Sequence, residues 1–215
     1  MKERGRKYRL WGGVLCLVGA VIAAAVVGWK FCESRAREEI LSTSYYQLAS
    51  YAHADSFNWA IDNAVEDKNV EKHMQELTDI LRKYEAVVHS NYDYMCWMHA
   101  LEPPPLKRKS FAHIAMAIEG RELYASGYRM RPQAFAADGV LDEREKHFLL
   151  ELQQDYNALL SDLPPGGDLI DLQYQRYWRH LDEFSQKWNF WNVKKEGTGP
   201  LNMDSPYFNF VIFDT

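Results

Sequence analysis

The chain has 215 residues, 47% of them apolar and 26% charged, a composition that excludes an intrinsically disordered chain and fits one compact domain plus an additional segment. Three cysteines are too few for a disulfide-built scaffold. A formal charge of −5 speaks against a nucleic-acid binder.

Residues 1–9 (MKERGRKYR) carry five basic side chains and one acid, a net charge of +4, and are expected to form a cytoplasmic tail. Residues 10–29 (LWGGVLCLVGAVIAAAVVGW) contain no charged residue, with Trp11 and Trp29 at the two ends. Helical residues rise 1.5 Å each, so this run spans the ~30 Å hydrocarbon core, and its tryptophans fall at headgroup depth. The lipid bilayer is therefore the expected partner of residues 10–29. The run is long for a signal-peptide core, and WKFCESRA after it lacks a small-x-small cleavage site. It predicts an uncleaved signal anchor. The flank beyond it (Lys30, Glu33, Arg35, Arg37, Glu38, Glu39) is balanced in charge. By the positive-inside rule, the N-terminus is cytoplasmic and the rest is extracytoplasmic at a cell membrane. No second run is long enough to span; Tyr207–Phe213 has seven residues.

Apolar residues at Leu41, Tyr45, Leu48, Ala52 and Trp59 predict a helix over 33–65, a stalk continuing from the membrane segment, with its stripe interrupted at Asp55. Val70, Met74, Leu77, Leu81, Tyr84, Val88, Asn91, Met95 and Met98 hold a strict 4-3 spacing. That is a coiled-coil-like seam, on a helix expected over 69–101 and stopped by Pro103-Pro104-Pro105. Ser110 opens a weaker helix with Phe111, Ile114, Ala115 and Ile118 on one face. Asp142 and Glu145 form a capping-box pattern for a helix to about 161. After Pro164-Pro165-Gly166-Gly167, Asp168 starts a helix with an aromatic stripe: Tyr174, Tyr177, Trp178, Phe184, Trp188 and Trp191. Residues 194–215 are expected to be irregular, with Phe208–Phe213 docking as a short strand or as apolar padding. Together these readings predict an all-α chain: a single transmembrane helix, then an antiparallel helical bundle over 30–193.

Candidate sites are few. Glu-x-x-His is absent; Glu85/His89 and Glu143/His147 stand four apart and His99/Glu102 three apart. His73, His89 and His99 lie off the seam and are expected to face solvent. Cys96-x-x-His99 lacks the second cysteine of a c-type haem box, and Met95 and Met98 beside it fit core packing. No cofactor or metal site is read. Lys107, Arg108 and Lys109 form a short basic patch, a candidate contact for an acidic partner. In an oxidising compartment Cys32 would cross-link two chains or pair with Cys96; with reversed topology it would suit acylation. A Gly-x-Ser-x-Gly elbow and a phosphate loop are both absent.

Around Gly139, placing that glycine sixth in a calcium loop puts Glu145 twelfth but leaves Ala134 and Ala136 where oxygen ligands belong. The Ala137-Asp138-Gly139 turn with Glu145 after it resembles the turn of TerB-type helical domains. That resemblance, confined to this segment, implies a helical body concerned with metal or membrane stress. The residues themselves read as a turn plus a capping box. The function expected from all this is non-enzymatic: a membrane-anchored extracytoplasmic module for protein interaction or scaffolding, self-association included. The alternative is a ligand-sensing or metal/haem-binding helical module of the cell envelope.

Overall fold

The computed structural model describes residues 2–98, 110–125, 128–163, 170–188 and 210–213. The chain is mostly helical. Helix α1 runs without a break from Lys2 to Tyr51, and the apolar window within it is not buried against the rest of the protein. This one helix is long and apolar enough to cross a membrane. Its last turns enter the core through Leu41, Tyr45, Leu48 and Ala52.

The helix expected over 33–65 is divided. His53 takes a left-handed conformation (φ 47°), and α2 starts afresh at Ala54–Val65. Neither Gly nor Pro marks the break. Tertiary contact stabilises it instead: the Tyr156 hydroxyl donates to the Ala52 carbonyl at 2.7 Å, satisfying an acceptor that a helix end leaves open. Asp67 and Asn69, also at positive φ, turn the chain into α3, Val70–Met98. There the heptad reading holds from Val70 to Met95, and the side chain of Met98 lies outside the described residues. Val70, Met74, Leu77, Leu81, Tyr84, Val88, Asn91 and Met95 are all buried. The seam is spent inside the fold, against α1, α2 and the helix α4 (Ser110–Ile118).

The chain is mostly helical as expected, with one small sheet added among the described residues. Strands β1 (Leu123–Ala125), β2 (Tyr128–Pro132) and β3 (Phe210–Phe213) pair antiparallel in that order, with Arg131 opposite Val211. The strand alternative for the C-terminal apolar run is the one adopted. Gly120 joins α4 to this region at φ +65°. A Cβ there would lie 2.7 Å from the Ala134 nitrogen, so the close approach requires glycine.

Helix α5 (Glu143–Leu160) begins with the expected capping box, Asp142 accepting from Glu145 N–H at 2.7 Å. Helix α6 spans Ile170–Lys187. Its Tyr174, Tyr177, Trp178, Leu181 and Phe184, with Trp188 just beyond, are buried in the common core, each burial worth ~1.5–3 kcal/mol. Trp191 lies outside the described residues. The Tyr84 and Tyr177 hydroxyls share a hydrogen bond of 2.8 Å at the centre, with Phe111 and Tyr156 packed edge-on to Tyr84.

Candidate functional site

Three polar places interrupt this aromatic core. The first is Glu85 on α3. Its buried carboxylate accepts from Phe111 N–H at 2.8 Å and Ala112 N–H at 3.2 Å. A side chain of one helix thus caps the start of another, where backbone N–H groups have no intrahelical partner. His89 Nε2 stands 2.7 Å from the other oxygen. Burial raises the Glu85 pKa, against the lowering influence of these backbone donors and of His89. The Glu85/His89 spacing seen in the sequence therefore serves helix capping.

The second is the turn before α5. Asp138, Asp142 and Glu145 line an open cavity of about 470 Å³. Gly139 has φ +89° and Ala136 φ 50°. Glu145 accepts from Asp142 N–H at 3.0 Å and from Ala136 N–H at 3.3 Å, and burial raises its pKa. The carboxylate in the twelfth calcium-loop position is thus engaged by the backbone, as a turn plus capping box requires.

The third is a groove of about 400 Å³ between α5 and α6, lined by Asp155, Ser161, His180, Glu183, Phe184 and Lys187 among others. Lys187 Nζ lies 2.9 Å from Glu151 and 2.5 Å from Asp155. Desolvation pulls its pKa down, but the two carboxylates outweigh that and hold it raised. Asp155 also accepts from Trp188 Nε1 at 2.9 Å. At the other end of the groove, His180 Nδ1 contacts the buried Asp162 carboxylate. Ser161 is beside them, yet its hydroxyl donates to the Ala158 carbonyl at 2.7 Å. Ser161 and His180 line the groove and Asp162 backs the imidazole from inside, but the serine is turned to the backbone rather than to the imidazole. No local pattern signals the Asp162–His180 contact, since the two residues are 18 apart across the Pro164–Gly167 break.

Other candidates fall out as follows. Lys107, Arg108, Lys109 and His99 lie outside the described residues. His73, expected at the surface, is 4% exposed. Trp59 packs edge-on over its ring at 4.6 Å, and Glu76 lies 3.0 Å from its Nδ1. Aromatic cover from α2 buries a histidine that the seam alone leaves on the wet face. Cys32 and Cys96 are free and exposed. Met95, next to Cys96, accepts from the Ser44 hydroxyl. Ser44 stands twelve residues, about 18 Å, along α1 from Cys32, so the fold does not bring these two thiols together within one chain. Among the described residues, no three His, Cys, Asp or Glu side chains are grouped to hold a metal ion. No family model, no curated protein and no solved structure matches the chain.

Proposed function

We propose that this chain is a single-pass, signal-anchored membrane protein. Residues 1–9 lie in the cytoplasm, and the helical body is held outside as a non-enzymatic module for contact with another protein. The observation that carries this reading is the continuity of α1. One helix joins an apolar window left uncovered by the protein to Leu41, Tyr45 and Leu48 in the core. Residues 30–40 then form a rigid stalk of about 16 Å. The −5 of the whole chain and +4 of the first nine residues leave −9 beyond them. An acidic body of this kind is not drawn to anionic headgroups, which suits a module that stands off the bilayer.

Contacts between helices support an antiparallel bundle. Ser44 meets Met95, so α3 ends beside the start of the α1 core segment, while Ala52 meets Tyr156 and Asp67 meets Lys146 at 3.0 Å. The interaction reading is supported by Tyr94 and Trp97, one helical turn apart on the last turns of α3. Trp97 is 75% exposed and Tyr94 is exposed beside it, and aromatic side chains are enriched at protein interfaces.

The chain's own thiols test the placement. A membrane-impermeant maleimide on intact cells should label Cys32 and Cys96, in a protein that resists alkaline extraction. Labelling that needs permeabilisation, or a mature chain beginning beyond Lys30, refutes the anchor. A photo-crosslinker at position 97 should give one discrete protein adduct; adducts to lipid alone refute the interaction.

A further inference from the structure

Between its apolar window and the core, α1 is a lone helix. The window is covered by no other part of the protein, and every residue from Cys16 to Glu39 is exposed. Two bulky rings stand where the window ends: Trp29 is 75% exposed and Phe31 is 61% exposed. Two residues along an α-helix turn the chain by about 200°, so these rings point to opposite sides of it. A groove on a protein partner would cover one side. A bilayer surrounds the helix and covers both.

Arg35 lies one turn beyond Phe31, and its guanidinium carbon sits over the Phe31 ring, 5.3 Å from the centroid. Side chains on a helix lean toward its N-terminus, which in α1 is the direction of the apolar window. The Arg35 backbone is about 9 Å beyond that of Trp29, but its charge is carried back beside Phe31, whose backbone is about 3 Å beyond Trp29. Headgroups occupy about 5–7 Å on each side of the hydrocarbon. With Trp29 in the aromatic belt at the inner edge of that layer, the guanidinium falls at phosphate depth. The ring takes one flat face of the group, while the N–H donors lie in its plane, at the edge. Glu33 stands four residues before Arg37, a spacing that lets these two charges neutralise each other. Glu38 and Glu39 are farther along the shaft, about 13 Å or more beyond Trp29. The end of the neck nearest the apolar window, with Lys30 and Arg35, is therefore basic.

We propose that Phe31 and Arg35 form a collar that binds the phosphate of phospholipid headgroups, on the side of the bilayer where the body lies, and so fixes the depth at which α1 emerges. The collar deepens the membrane reading proposed above and rests on it. The in-plane donors of the guanidinium match two phosphate oxygens at once. Stacking on Phe31 holds the long side chain in place, which reduces the rotamer freedom lost on binding. The ring itself meets the boundary between headgroups and acyl chains. A phosphate within a zwitterionic headgroup is enough for this contact, so the collar holds lipid while the acidic body stands clear of the surface.

The test places a nitroxide on Cys32, the exposed residue next to Phe31, in the full chain carrying Cys16→Ala and Cys96→Ala. The protein is reconstituted in phosphatidylcholine vesicles and, in parallel, in vesicles of digalactosyl diacylglycerol, a bilayer lipid without phosphate. Collision of the nitroxide with a water-soluble nickel chelate reads how deeply Cys32 sits in the headgroup layer. In phosphatidylcholine, Arg35→Gln should raise the collision rate about five-fold, the order expected for losing one charge-assisted contact. Phe31→Leu should raise it as well. In the galactolipid, Arg35→Gln and the parent chain should agree, and inorganic phosphate in the buffer should leave them agreeing. No response to Arg35→Gln in phosphatidylcholine, or an equal response in both lipids, overturns the collar. Inorganic phosphate that lowers the rate for the parent chain in galactolipid shows a free-anion site and overturns the lipid assignment. A Phe31→Leu variant identical to the parent overturns the part given to the ring. Resistance to alkaline extraction separates the two readings: a chain washed off both vesicles sinks anchor and collar together, whereas a resistant chain indifferent to Arg35→Gln sinks the collar alone.

Discussion

Replacing Glu85 with alanine takes a shared acceptor away from two backbone donors, Phe111 N–H and Ala112 N–H, at the start of α4. Hydrogen bonds to a charged group contribute ~1.5–3 kcal/mol each, and a lost helix cap costs ~0.5–2 kcal/mol. Here the gain is reduced by the cost of holding the carboxylate out of water, which raises its pKa. A net loss of roughly 2–3 kcal/mol is expected. For a body of this size that is a fall in Tm of roughly 4–12 °C. Glu85→Gln keeps a carbonyl oxygen for the same donors and removes the buried charge, so it should stay within ~1 kcal/mol of wild type at neutral pH. The two variants also differ in pH response. A carboxyl whose pKa is raised in the fold binds protons more tightly there than in the unfolded chain. Its contribution therefore falls as pH rises from the ordinary value of 4.5 through the raised one. Wild type should show that slope and Glu85→Gln should lack it. Thermal melts of the full chain in detergent, followed by near-ultraviolet circular dichroism of the buried aromatics, measure both effects. An alanine variant within 0.5 kcal/mol of wild type (roughly the spread of a neutral surface change), or a glutamine variant as damaged as the alanine one, refutes trans-capping.

Gly120→Ala places a Cβ against the Ala134 backbone at positive φ, and a loss of ~1–3 kcal/mol in denaturant melts is expected, since backbone cannot yield as a flexible side chain does. Tyr156→Phe removes the bond to the Ala52 carbonyl; it should cost ~1–2 kcal/mol and speed amide exchange around His53 more than elsewhere. Asp142→Ala breaks the capping box of α5, with ~1 kcal/mol lost in the same melts and Asp142→Asn retaining most of it. An Asp142→Ala variant as stable as wild type would show that the Lys146–Asp67 contact and core packing alone hold this helix start.

Helix faces that bury a long apolar stripe were legible in the sequence. The seam from Val70 to Met95 and the aromatic stripe of α6 entered the core at the positions their spacing assigns, because a helix with one apolar face has few ways to hide it. What the spacing missed depends on neighbours distant in sequence. His53 breaks α1 from α2 without a glycine or proline, held by a tyrosine more than a hundred residues away. The strands are three to five residues long, too short for an alternating pattern to emerge, and β3 reaches β2 from the far end of the chain. His73 reads as a surface residue on α3 until Trp59 of α2 covers it. Asp162 and His180 are ordinary polar residues in their own helices' terms, and only the return of α6 past the end of α5 unites them.

The unbroken passage of α1 from the apolar window into the core has a rotational meaning. Each residue of an α-helix advances the chain 1.5 Å and turns it by one part in 3.6 of a circle. Residues 30–40 therefore act as a threaded shaft: inserting or deleting one residue there swings the body by about 100° around the axis of α1, relative to the apolar window, while moving it only about 1.5 Å along that axis. The azimuth at which Tyr94 and Trp97 face their surroundings is indexed by the length of that shaft.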